Sequence, residues 1–253
     1  MRLCVDIGNT MSEFVFFDES GQVAKSFKTK SVPQRTYEEW RLSLRLYTKE
    51  EGIHSIQAAI ISSVVPSLTH IIEKLILELF GVQAKTLGPG LKTGMRINTD
   101  NPKEVGADLI ADGVGAFTLY GGDCLIADLG TATKLIHIND KGAFEGCSIA
   151  PGLGLGLAAL VNNTAALPEV SLQIPSKIIG KNTNDSMNSG LLYGCAYGLK
   201  AMADEVDKEV GRPLKRILTG GYAEFVKDLL PDFHYEPHLL AKGLYALLVK
   251  NGD

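Results

Sequence analysis

"CVDIGNTMSEFVFFDES", residues 4–20, consists of two apolar runs separated by a small polar cluster. Short runs of this kind, bounded by turn-forming residues, read as strands, so residues 2–7 and 13–18 are expected to form a hairpin. "DESG" then turns the chain into a third strand over residues 22–29. Asp6 falls at the end of a buried strand, and Gly8 falls where the backbone must turn closely.

Working outward, the same pattern recurs. "CLIADLGTATKLIHINDKGAFEGCSIAPG", residues 124–152, again gives an apolar strand, a polar turn, a strand, a glycine turn and a strand. Asp6 and Asp128 lie 122 positions apart, Gly8 and Gly130 also 122, and Gly21 and Gly142 121. Landmarks that hold register this closely mark an internal duplication. Around them the spacing predicts a helix over 37–50, a buried strand "AAIISSVV" over 58–65, and a helix from Pro66 to Gly81. The last of these carries Leu68, Ile71, Ile72, Leu75, Ile76 and Leu79 at helical intervals. Asn101 and Pro102 read as the cap and first turn of a helix reaching about Leu119, and "KRILTGG", 215–221, as a strand that opens a further helix. The expected architecture is α/β: two similar lobes, residues 1–120 and 121–253.

The 253 residues, 45% hydrophobic and 21% charged, suffice for two cores. A net charge of −4 provides no basic footprint, so nucleic acid is not an expected partner. Cys4, Cys124, Cys147 and Cys195 have neither zinc-knuckle nor redox-pair spacing, which fits a cytoplasmic setting. The longest nearly apolar run, "PGLGLGLAALV", is too short and glycine-rich for a bilayer, so no membrane partner is expected. "GKNT" lacks the upstream glycine of a Walker loop, having Pro175 instead, and "PGLGLG" lacks dinucleotide spacing. His54, His70, His137, His234, His238 and Trp40 form no ligand cluster.

An aspartate at a tight turn is most often structural, but two at duplicated positions can present both acids to a shared cleft. Asn9 and Thr10 in one half, and Thr131 and Thr133 in the other, add small donors beside close-approach glycines. "LTGG", Leu218–Gly221, adds a further backbone contact. Phosphoryl transfer needs such donors for phosphates, cations to neutralise charge, and a base for the attacking hydroxyl.

"DIGNT", "SSVVP", "NPKEVGAD", "DLGTAT", "IAPG", "GKNT", "LTGG" and "KGLY" occur here in the order seen in type III pantothenate kinases, and this resemblance covers nearly the whole chain. It implies two duplicated ribonuclease H-like lobes of the actin, sugar kinase and Hsp70 superfamily. It also implies a homodimer that phosphorylates pantothenate to 4'-phosphopantothenate with ATP and Mg2+, the first step of coenzyme A biosynthesis. Carried over by position, Asp6, Gly8, Asn9 and Thr10 form the first phosphate turn, while Thr131, Gly220 and Gly221 contact ATP. Asp128 holds a monovalent cation, K+ or NH4+. Asp108 is the base, and Thr99, Gly106, Ala107, Asp108, Leu109 and Thr183 line the pantothenate side.

Departures from the family pattern concentrate on that side. Leu109 stands where the family has arginine, Thr99 where it has tyrosine, and Met11 where it has asparagine; Glu13 adds a negative charge beside the first turn. Two other readings follow from them: an ATP-binding regulator with little turnover, or a kinase for another small hydroxyl compound. Lys134, directly after the second turn, is the cation expected to compensate for Leu109. Asp112, one turn beyond Asp108, is expected to support it or to be solvated.

Overall fold

In the computed structural model, which describes residues 1–164 and 167–252, the opening segment folds as the hairpin its pattern predicts. β1 (Arg2–Ile7) pairs antiparallel with β2 (Met11–Phe17), and β2 with β3 (Val23–Lys30). Leu3, Cys4, Val5 and Ile7 are all buried, because β1 is central and covered on both faces. The Asp18 carboxylate ties the β2–β3 turn by accepting the backbone N–H groups of Ser20 (2.8 Å) and Gln22 (3.0 Å). α1 (Tyr37–Glu50) starts on a capping box between Thr36 and Glu39 and buries Trp40 and Leu44. β4 (Ala58–Ser63) runs parallel to β1. α2 (Pro66–Phe80) has its proline in the first turn and ends at Gly81 in the left-handed region, and β5 (Lys85–Thr86) completes a sheet of order β3-β2-β1-β4-β5.

After α3 (Ala107–Tyr120) the plan repeats. β6 (Cys124–Leu129), β7 (Ala132–Ile138) and β8 (Phe144–Pro151) form an antiparallel set, followed by α4 (Leu153–Asn162) and α5 (Thr183–Asn188). A π-helical stretch, Ser189–Tyr193, leads into α6 (Gly194–Val210). β9 (Lys215–Thr219) and β10 (His234–Tyr235) add parallel to β6, and α7 (Leu239–Lys250) closes the chain. The order β10-β9-β6-β7-β8 is that of the first sheet, strand for strand. Even the hairpin turn is duplicated: Asn139 Oδ1 accepts the N–H groups of Lys141 and Ala143, both at 2.9 Å, as Asp18 does in the first half.

Two helix expectations need correction. The segment from Asn101 forms only a 3-10 turn, Pro102–Glu104, and Val105 is extended, so α3 begins at Ala107. Directly after β9 no α-helix starts; Gly220 (φ 96°) turns the chain into two 3-10 turns, Ala223–Phe225 and Lys227–Leu229.

The chain divides into two compact units, and these differ from an equal cut after residue 120. The first unit takes Met1–Met95, Asp100–Thr118 and the C-terminal stretch from Leu239; the second takes Arg96–Thr99 and Leu119–His238. Packing explains why the last helix joins the first unit. Ala241, Leu244, Leu247 and Leu248 of α7 share one core with Cys4, Val15, Phe17, Ala58 and Ile60. Each such leucine contributes roughly 1.5–3 kcal/mol on burial. A Cβ at Gly243 would collide with the Ala111 carbonyl, so glycine there permits α3 and α7 to close on each other. The second unit has its own core, built from Leu125, Ala127 and Leu129 of β6 with Leu192, Ala196, Leu199 and Leu218. Among the described residues no helix is long and apolar enough to cross a membrane.

Candidate functional site

β6 is buried along its whole length, and its last polar residue, Asp128, is carried to the strand end by that burial. The turn beyond it is closed by backbone bonds. Gly130 N–H donates to the Ala132 carbonyl (3.1 Å), and Gly152 N–H, just ahead of α4, donates to that of Thr131 (3.1 Å). From the β9 side, Tyr222 N–H donates to the Leu129 carbonyl (2.9 Å). A Cβ on Gly220 would stand 2.5 Å from Asp128 Oδ1 and from the Leu129 nitrogen. Asp128, Thr131 and Gly220, with Gly221 next to it, are therefore brought together within the second unit. Neither Gly152 nor Tyr222 was singled out by sequence reasoning; the glycine in "IAPG" was the available signal.

Lys134 is the residue whose role changes most. It pairs with Asp128 across the antiparallel strands, and its Nζ lies 2.6 Å from Asp128 Oδ2. The two side chains are only 14% and 10% exposed. This ion pair is a charge-assisted hydrogen bond in a poorly solvated place. The Lys134 ammonium is thus engaged by Asp128 within the second unit. The hairpin geometry contains the missed signal, since both residues lie three positions from Thr131 and must share a face.

In the first unit, Gly8 N–H donates to the Met11 carbonyl (3.0 Å), which leaves Asn9 and Thr10 exposed at the turn. Asp6 is flanked in register by Glu13 on β2 and Ser62 on β4. Glu13 forms an ion pair with Lys28 of β3 at 3.4 Å, which offsets the charge that sequence reasoning set against phosphate. Gly106, Ala107, Asp108 and Leu109 lie at and just before the start of α3. The Asp108 carboxylate folds back over Gly106, where any Cβ would strike it. Asp108 itself is half-buried. Leu109 is buried, so the expected anion contact is an apolar side chain. Asp112 is 1% exposed, an interior carboxylate rather than a solvated one.

Thr99 and Thr183 lie on other elements of the second unit. Thr99 follows a short segment hydrogen-bonded to Phe144, and its hydroxyl is buried without a hydrogen-bond partner. Thr183 is exposed at the start of α5, where Asn182 caps the helix by accepting the Asp185 N–H (2.8 Å); "GKNT" is locally a capping sequence. Burial pushes the Cys124 and Cys195 thiols up to about 11, the latter against a smaller opposing effect of the Thr133 hydroxyl, so neither is a ready thiolate. Among the described residues no group of three or more His, Cys, Asp or Glu side chains could hold a metal ion.

The sequence profile of the type III pantothenate kinases matches residues 2–205. A type III pantothenate kinase of Bifidobacterium animalis subsp. lactis is 36% identical over 253 residues, which cover 99% of this chain and 100% of the relative. One from Moorella thermoacetica is 38% identical over 255 residues, with the same 99% and 100% coverage. Among solved structures, a protein assigned as a 2-dehydro-3-deoxygalactonokinase from Sinorhizobium meliloti superposes with a TM-score of 0.58 at 13% identity, covering 98% of this chain and 95% of that one. With the repeated strand order, this likeness shows a shared fold: two α/β units built on five-stranded sheets of the same order.

Proposed function

From the premise that the chain belongs to the type III pantothenate kinase family, we propose that it transfers the γ-phosphoryl group of ATP to the primary hydroxyl of pantothenate, giving 4'-phosphopantothenate for coenzyme A synthesis. The observation that carries this reading is the second-unit turn. There Gly130, Gly152 and Gly220 bring three backbone segments together around Asp128 and Thr131, the kind of close backbone that receives phosphate oxygens. Thr131, Gly220 and Gly221 are assigned to ATP, and Asp6, Gly8, Asn9 and Thr10 to the first phosphate turn. A magnesium ion bound with the nucleotide would neutralise phosphate charge. Asp108 accepts the proton of the attacking hydroxyl, and Gly106, Ala107, Leu109, Thr99 and Thr183 are assigned to pantothenate.

The monovalent cation implied by the resemblance fits less well. Asp128, its expected ligand, is already engaged by the Lys134 ammonium, and no step is assigned to a further ion there. The homodimer implied by the resemblance stays a proposal; Ile149, Leu155, Tyr197 and Met202 are exposed apolar side chains of the second unit. The cytoplasm remains the proposed location.

Formation of 4'-phosphopantothenate from ATP and pantothenate, followed by mass spectrometry, tests the reading. Asp108→Asn should lower kcat by about 10²–10⁴-fold while leaving the melting temperature unchanged. ATP binding without product from the wild-type chain would instead favour the regulator or another hydroxyl substrate.

A further inference from the structure

The ion pair of Lys134 and Asp128 lies at the turn assigned above to ATP, and a phosphate site does not ordinarily end in an uncompensated carboxylate. Asp128 is 7% exposed and would repel a polyphosphate if nothing neutralised it. We infer that the Lys134 ammonium is a built-in cation, supplying at Asp128 the positive charge that a potassium or ammonium ion would otherwise bring, so that nucleotide binding by this chain is independent of monovalent cations. The inference rests on the reading of this turn as a phosphate site.

Geometry supports it from three sides. The register of β6 and β7 sets Lys134 directly opposite Asp128, so the ammonium is delivered by the sheet rather than by a mobile loop. At 2.6 Å from Oδ2 it occupies the position from which a cation would bind that oxygen. The other oxygen, Oδ1, faces the Gly220 backbone, which closes in to the point that even a Cβ there would be 2.5 Å away. A second cation on this carboxylate would have to settle beside an ammonium with little water to screen the two charges. Lysine is also suited chemically. Its ammonium has three N–H donors, and a carboxylate, a hydroxyl or phosphate oxygens can all accept from them, whereas a guanidinium would impose a planar fork.

The test is the affinity of ADP and of a non-hydrolysable ATP analogue, measured by calorimetry at constant ionic strength in choline, sodium, potassium and ammonium chloride. Wild type should bind within about threefold in all four salts. Lys134→Thr should bind about tenfold or more weakly in choline and recover in potassium or ammonium, and its melting temperature should rise with the same two ions. Wild-type affinity that strengthens more than threefold with potassium overturns the inference, and so does Lys134→Thr binding normally in choline. Should Lys134→Thr not fold, the wild-type salt series and Lys134→Met, closer in size, decide, with the same loss of binding in choline expected of the methionine variant. Nucleotide binding that ignores potassium, with no phosphopantothenate formed, upholds the inference and removes the substrate assignment. Potassium-dependent binding with product formed does the reverse, and no nucleotide binding in any salt overturns both.

Discussion

In the first hairpin the residue opposite Asp6 is Glu13; in the second the residue opposite Asp128 is Lys134. The backbones follow one plan. Gly8 donates to the Met11 carbonyl in one turn and Gly130 to the Ala132 carbonyl in the other, and each strand pair continues into a third strand through an Asx-type turn. The charges follow opposite plans. Glu13 and Lys28 are 21% and 42% exposed and 3.4 Å apart, a longer and less covered pair. Lys134 meets Asp128 where both side chains are nearly covered. At 4 Å a pair of unit charges is worth about 1 kcal/mol in water but about 4 kcal/mol at an effective dielectric constant of 20, so the second pair is the one on which stability depends. Duplication has kept the turn geometry, while the cross-strand side chains have given the two turns different electrical characters.

Making the second hairpin resemble the first should therefore have the largest effect. Lys134→Glu leaves two carboxylates facing each other in a covered site, and the loss is expected at about 3–5 kcal/mol in urea unfolding at pH 7. The reciprocal change, Glu13→Lys, acts in a better-solvated place and should move stability by less than about 1 kcal/mol. Equal responses from the two variants would break the comparison.

That contrast marks what the sequence could and could not convey. The duplication was legible because glycine and aspartate landmarks recur at a constant interval, and the strands because Leu3–Ile7 and Cys124–Leu129 are apolar runs bounded by turns. The Lys134–Asp128 contact was hidden because it depends on hairpin register, which only the turn geometry fixes. The start of α3 was misplaced because Asn101 and Pro102 carry a real helix-start signal, one that a 3-10 turn satisfies equally well. Membership of α7 in the first unit could not be read at all, since packing of Leu244 and Leu248 against Cys4 and Ile60 leaves no local trace some 190 residues away from β4 and more from β1.

A smaller effect is expected from the turn glycines, and it sharpens the same comparison. Gly220→Ala must hold φ 96° and place a methyl 2.5 Å from both a carboxylate oxygen and a backbone nitrogen. It should cost about 1–3 kcal/mol and weaken nucleotide binding, because the neighbour that must move is Asp128 itself. In the first unit, Gly8→Ala meets only the Met11 carbonyl, at 3.1 Å, a contact that a shift of a few tenths of an ångström relieves. Its cost should stay below about 1 kcal/mol. Paired urea titrations of the two variants measure the difference, and a larger loss for Gly8→Ala would reverse the ranking of the two turns.

The smallest effect separates the Asx-type turns by pH. The Asp18 carboxyl is held below the usual aspartate range, first by the Ser20 hydroxyl and then by the Gln22 N–H. Its folded pKa is depressed, so its contribution is complete above the unfolded value of about 4 and is lost as pH falls through the lower folded value. Asn139 makes the matching backbone bonds with an amide that does not titrate in this range. From about pH 5 to about pH 2, which bracket the aspartate range, the protection of the Ser20 and Gln22 amides relative to their intrinsic exchange rates at each pH should fall, while that of Lys141 and Ala143 follows only the global stability. Asp18→Asn should remove the difference, and Asn139→Asp should create it in the second turn. An Asp18 carboxyl that titrates at or above the usual value would show that the first turn draws nothing from its charge, and the two hairpins would then differ only where Lys134 meets Asp128.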